Sequence, residues 1–110
     1  MNPWTVTFLP EADADIRRLD KAMQAQVRKG IRKVAQNPLP ASEGGYGKPL
    51  RNGSSTKLSG LCKIKFRGIG VRVVYKVVRT EREMLVVVVG VRSDDEVYRL
   101  AAARRSQYGL

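Results

Sequence analysis

Large apolar and polar residues alternate along Trp4-Thr5-Val6-Thr7-Phe8-Leu9, the pattern of a half-buried strand. Pro10 stops that strand and suits the first turn of a helix. Glu11, Asp13 and Asp15 follow, and acids favour a helix N-terminus, so a short helix is predicted to about Leu19. Asp20 is placed to cap a second helix. There Ala22, Met23, Val27, Ile31 and Val34 recur at helical spacing as an apolar stripe, with Arg28, Lys29, Arg32 and Lys33 largely off it. Gly30 costs this helix about 1 kcal/mol relative to alanine, and Asn37-Pro38 ends it. Residues 38–56 carry Pro38, Pro40, Gly44, Gly45, Gly47, Pro49 and Gly53. They read as a long loop, functional or mobile in a domain this small, with room for a short turn around Leu50.

The second half carries strand patterns. Cys62, Ile64 and Phe66 face one way and Lys63 and Lys65 the other. After a turn at residues 67–70, Val71, Val73, Tyr75 and Val77 share one face of a second strand, and Arg72, Val74, Lys76 and Val78 share the other. Residues 80–82 make the next turn. Met84-Leu85-Val86-Val87-Val88-Val89 is apolar on both faces, which suits a central strand. Ser93 with Glu96 forms a capping box, and the helix behind it, carrying Val97, Leu100 and Ala101, is expected to end near Arg105. The order β-α-α-β-β-β-α predicts an α+β fold, an antiparallel sheet packed by helices. The 110 residues fit one domain, residues 1–110.

Composition narrows the function. Twenty-one Lys and Arg against ten Asp and Glu give a net charge of +11. That potential attracts polyanions, and nucleic acid is the commonest inside a cell. No apolar run approaches the roughly 20 residues of a membrane span, and the N-terminus does not read as a signal peptide. A membrane partner is therefore not expected, and the expected location is the cytoplasm. With one cysteine, Cys62, and no histidine, neither an intrachain disulfide nor a zinc site is expected. No metal or cofactor is expected. Cys62 alternates with Ile64 and Phe66 and reads as core, as do Trp4, Phe8 and Tyr75. Tyr46 either stacks on a base or folds back on the core.

Four basic residues lie at strand positions or strand ends: Lys63, Lys65, Arg72 and Arg92. Lys63 and Lys65 are about 7 Å apart along one strand face. Arg72 begins the adjacent strand, Arg92 lies where the third strand hands over to the last helix, and Tyr98 lies within that helix. Converging on one face, such groups suit RNA cleavage without a metal. An arginine clamps the phosphate and meets charge that grows in the transition state. A lysine or tyrosine among cations has its pKa pushed down and can exchange a proton near neutral pH. Equally, basic residues on one strand face are what a solvated face or a guarded edge carries, and Tyr98 suits amphipathic packing. From spacing alone, nucleic-acid binding without catalysis comes ahead of catalysis.

Two stretches go further. Residues 57–75, Lys57-Leu58-Ser59-Gly60 followed by Cys62-Lys63-Ile64-Lys65 and Val71-Arg72-Val73-Val74-Tyr75, resemble the core of RelE toxins. Val89-Gly90-Val91-Arg92 followed by Glu96-Val97-Tyr98 resembles their closing segment. The resemblance implies the RelE fold and a toxin of a type II toxin–antitoxin pair, a ribosome-dependent mRNA endoribonuclease. It implies an acidic antitoxin wrapping the toxin in a hetero-oligomer, with the ribosome and mRNA as targets. It matches Lys63 and Lys65 to paired strand lysines, one a candidate base, and Arg72 to a phosphate-contacting arginine. Arg92 matches a transition-state arginine, and Tyr98 a tyrosine that stacks on the substrate or exchanges a proton with it. The ParE branch, which inhibits DNA gyrase without catalysis, shares the fold and generally lacks this set. The loop at residues 38–56 is longer and richer in glycine than in compact RelE toxins, and the last helix ends differently, in Arg104-Arg105-Ser106-Gln107-Tyr108-Gly109-Leu110. A gyrase-directed toxin and a non-catalytic RNA-binding module are the alternatives.

Overall fold

The computed structural model describes residues 4–51, 57–91 and 93–110. Strand β1 (Thr5–Phe8) leads into helix α1 (Pro10–Arg17), which has its proline in the first turn. Helix α2 (Lys21–Val34) is capped by Asp20, whose side chain accepts from the Met23 N–H at 2.8 Å. A 3₁₀ turn at Ala41–Glu43 and a two-residue strand β2 (Lys48–Pro49) follow. Strands β3 (Leu61–Phe66), β4 (Val71–Val78) and β5 (Glu83–Gly90) make the meander, and helix α3 (Asp94–Tyr108) closes the chain.

The five strands lie in the order β1-β5-β4-β3-β2. The meander is antiparallel as expected, but β1 joins parallel to β5, so the sheet is mixed. Alternation along β1 fixes which faces it buries, not the direction in which it pairs. β5 is interior, flanked by β1 and β4, with Met84 and residues 86–89 buried. Helix α3 runs one turn past Arg105 to Tyr108, where Gly109 takes the left-handed conformation (φ 65°) that ends it.

Residues 38–51, the described part of the loop after α2, are more ordered than their glycines and prolines suggest, and residues 52–56 lie outside the described residues. The buried Tyr75 hydroxyl donates to the Pro38 carbonyl at 2.8 Å, and Arg79 grips the Glu43 carboxylate through both oxygens. Gly45 and Gly47 let strands of loop backbone touch: a Cβ at Gly45 would lie 2.0 Å from the Leu39 carbonyl oxygen, and one at Gly47 2.8 Å from that of Pro38. Leu50 is buried. Tyr46 is exposed, with Lys33 over its ring. Cys62 and Tyr75 are core, as expected. Trp4 and Phe8 are only half-buried, each with a guanidinium over its ring, Arg82 at 5.4 Å and Arg28 at 6.0 Å from the ring centre.

One buried ion pair ties the helices to the sheet. Arg104 of α3 donates to the Asp15 carboxylate of α1 through both terminal nitrogens, at 2.6 and 3.3 Å. The β4–β5 register shifts at Val74/Tyr75, and Val87 is the extra residue. Its carbonyl accepts from Arg104 at 3.0 Å, and the Val89 N–H donates to Asp15 at 3.1 Å. The pair thus supplies partners to a bulged strand. On the other face of the sheet, α2 presents Gly30 to the ring of Phe66. A Cβ there would sit 2.3 Å from the ring, so the glycine that weakens the helix lets it close on the sheet.

Asp15→Asn leaves Arg104 charged and buried without its counter-charge. It is expected to destabilise the protein by about 3–5 kcal/mol, read as a lowered midpoint of denaturant unfolding. A loss below about 1 kcal/mol would contradict the role given to the pair.

Candidate active site

The β3–β4 pairing sets Lys65 directly opposite Arg72 and Lys63 opposite Val74. Side chains alternate across a sheet, so Lys63, Lys65 and Arg72 share one face. Helix α3 lies over that face. Its close approach is made at Gly90, the β5 partner of Arg72, where a Cβ would meet Val97 at 2.9 Å. Ser93 starts the helix by accepting from the Glu96 N–H at 3.4 Å, so the predicted cap is present.

The helix delivers two side chains. Tyr98 packs with its ring under Lys63, whose Nζ lies 6.0 Å from the ring centre. The Tyr98 hydroxyl is buried and has no hydrogen-bond partner among the described residues. Burial pushes its pKa up, the Asp94 carboxylate adds to this, and Arg72 opposes it. This corrects the expectation that surrounding cations lower it: loss of water and a nearby carboxylate outweigh them. At neutral pH Tyr98 therefore holds its proton and can donate but not accept one.

Asp94, one helical turn before Tyr98, is the residue that sequence reasoning missed. Its carboxylate accepts from Lys65 Nζ at 2.8 Å and from Arg72 Nε. Arg72 also donates to the Gly70 carbonyl at 3.3 Å. The hydrogen bond from Lys65, with that from Arg72 behind it, holds the Asp94 carboxyl below its ordinary value. The signal was present: Asp94 and Tyr98 are four apart and so share a helix face. The capping box drew attention to Ser93 and Glu96 instead.

Of the five residues predicted, the structure brings Lys63, Lys65, Arg72 and Tyr98 together, and Arg92 lies outside the described residues. A cavity of about 330 Å³ opens beside them at the β3–β4 turn, lined by Lys65, Phe66, Arg67, Gly70, Val71 and Arg72. That is at the small end of ligand sites. Among the described residues no group of three or more Cys, Asp or Glu side chains is placed to hold a metal ion. No described helix is long and apolar enough to cross a membrane.

A small α+β protein with a cationic sheet face roofed by its last helix is the class that fold and site define. The sequence model of the ParE toxin of type II toxin–antitoxin systems matches residues 6–98. A RelE-like toxin protein of Escherichia coli is 36% identical over 105 residues, covering 92% of this chain and 96% of that protein. The chain therefore belongs to the RelE/ParE family of type II toxins, and within it is of the RelE type. Among solved structures, a variant of the E. coli toxin RelE in its free state superposes with a TM-score of 0.73 at 27% identity, over 94% of this chain and 98% of that one. The toxin–antitoxin complex RelBE2 of Mycobacterium tuberculosis gives 0.67 at 25% identity, over 86% and 97%.

Because the folded pKa of Asp94 is depressed, the contribution of its pairing is complete above the ordinary value of 3.8 and is lost as pH falls through the lower, folded value. An NMR titration of the Asp94 carboxyl carbon should give a midpoint below 3.8, and Lys65→Ala should raise it. A midpoint unmoved by Lys65→Ala would dissociate the two groups.

Proposed function

We propose that the protein is an endoribonuclease that cuts mRNA on the ribosome, without a metal, by attack of the ribose 2′-hydroxyl on the adjacent phosphate. The observation that carries the reading is the pairing of Lys65 with Arg72 on the face that also receives Tyr98. Arg72 holds the phosphate, and Arg92 meets the charge that builds on its oxygens. One of the two lysines, in its uncharged form, takes the 2′-hydroxyl proton as the new O–P bond forms and becomes an ammonium. The bond to the 5′-oxygen breaks, and Tyr98, protonated at neutral pH, donates its proton to that leaving oxygen. The products are a 2′,3′-cyclic phosphate and a free 5′-hydroxyl.

Helix α2 supports the polyanion half of the reading. Lys21, Arg28, Lys29, Arg32 and Lys33 lie on it with no acidic residue between them, and it covers the sheet face opposite the site. A ribosome offers phosphate to both faces at once. In the cytoplasm the partner that restrains the toxin is an acidic antitoxin, partly disordered until it folds on binding, in a hetero-oligomer like the solved RelBE complexes. It covers the face of Lys63, Lys65 and Arg72 or displaces the last helix.

Induced without its partner, the chain should arrest growth, and primer extension should reveal discrete breaks within translated mRNA. Arg92→Ala should cut the single-turnover rate by roughly a hundredfold or more with ribosome affinity little changed. Tyr98→Phe keeps the ring and removes only the proton. A large rate loss marks proton donation, and a small one leaves Tyr98 a stacking platform. Match to the ParE family model favours a second reading, inhibition of DNA gyrase without chemistry. Intact mRNA together with blocked supercoiling by purified gyrase would establish that reading in place of ours.

Binding to any polyanion should also weaken with salt, log affinity falling linearly with log salt concentration. A flat dependence would contradict the use of these lysines and arginines on phosphate.

A further inference from the structure

We propose that Asp94 is an internal stand-in for the substrate phosphate: its carboxylate bridges Lys65 and Arg72 in the resting protein and is displaced when RNA binds. The inference rests on the reading that this face receives phosphate, and adds a brake to it.

The geometry is that of a bound oxyanion. One carboxylate oxygen accepts from Lys65 Nζ at 2.8 Å and the other from Arg72 Nε. Two cations on neighbouring strands each hold one oxygen of a single anion, which is how a phosphate is held by such a pair. The carboxylate is not needed to start the helix, because Ser93 already accepts from the Glu96 N–H. Nor is it committed to a helix neighbour, as Asp95 is to Arg99 at 2.9 Å.

The bridge is also accessible. The Asp94 side chain is 39% exposed, and those of Lys65 and Arg72 are 30% and 28% exposed. The cavity lined by both cations opens beside it, so an incoming phosphate reaches them without disturbing the core. Exchange of one anion for another leaves the two cations neutralised throughout. It also keeps a negative charge near Tyr98, whose hydroxyl must stay protonated to act. In the free protein the carboxylate lowers the attraction of this face for RNA in general, so that only a well-placed phosphate displaces it.

The test uses fluorescence anisotropy with a labelled single-stranded DNA oligonucleotide, which lacks the 2′-hydroxyl and so is bound without being cut. Asp94→Asn keeps the size and one carbonyl acceptor and removes the charge. It should bind the oligonucleotide roughly two- to fivefold more tightly, the equivalent of a part-exposed ion pair. Asp95→Asn makes the same change in net charge one residue away and is the control. The proposal requires Asp94→Asn to exceed it. Equal gains would mean a general charge effect and overturn the proposal. Unchanged or weaker binding by Asp94→Asn would mean that the carboxylate only props the two cations in place, and would overturn it too. Asp94→Ser, a good residue at a helix start, should reproduce the gain if the asparagine variant folds poorly. Because no bond is cut, failure here and failure of the ribonuclease reading are separate results. A parent that cuts mRNA with equal gains in the two asparagine variants removes the brake alone. A parent that cuts nothing while Asp94→Asn binds best removes the ribonuclease alone.

Discussion

Helix α3 is fastened over the functional face by Arg104, near its far end, which is buried against Asp15. Taking two charges out of water costs several kcal/mol each, and the cost is offset only when every remaining donor and acceptor is used. Here the surplus hydrogen-bonding capacity goes to the bulge in β5, through the Val87 carbonyl and the Val89 N–H. An apolar replacement of the pair would leave both backbone groups without partners. The ion pair and the bulge therefore require each other, and together they fix the axial position and rotation of α3 on the sheet. At the C-terminal end, Arg105 adds hydrogen bonds to the Lys57, Ser59 and Leu110 carbonyls. The Tyr108 hydroxyl donates to Glu11 at 2.7 Å.

With that end anchored, the start of α3 has little freedom, and Asp94 and Tyr98 arrive over Lys63, Lys65 and Arg72 as a consequence. The contact is close because β5 ends in a glycine where Val97 presses against the strand. The lysines and Arg72 need no such help. They are placed by the β3–β4 register, which a short turn enforces and which the buried set Cys62, Val71, Val73 and Tyr75 holds on the opposite face. The site thus has a rigid half built into a hairpin and a half delivered by a helix whose fastening is far from the chemistry.

The hairpin half was legible in the sequence, because period two assigns Lys63 and Lys65 to one face and a turn of known length sets Arg72 across from them. The caps at Asp20 and Ser93 were legible for a similar reason: both are local, and a few residues decide them. The Asp15–Arg104 pair was not, since nothing within either helix distinguishes a buried acid from the exposed acids around it. Glu11, Asp13 and Asp15 look alike in α1 until the packing direction is known. The parallel pairing of β1 and the pinned loop around Tyr75 and Pro38 likewise depend on partners remote in sequence. Asp94 escaped because its partners lie on other strands, although its spacing to Tyr98 pointed the right way. The protonation of Tyr98 escaped because it turns on burial, which sequence position alone did not convey.

The parallel strand has a kinetic side. β1 pairs Thr5 with Glu83, and Asp15 meets Arg104 across 89 positions of chain. Contacts this distant in sequence close large loops before they return any stability, and they form late. The β3–β4 hairpin closes a loop of only a few residues and can form early. A chain emerging during synthesis thus acquires its lysines and Arg72 in register well before it owns the helix that roofs them. Until β5 has appeared β1 has no strand neighbour, and until α3 has appeared Asp15 lacks its buried partner Arg104 and the cationic face is an open ribbon. The long-range closure that gives the finished molecule its site also delays that site until the fold is nearly complete.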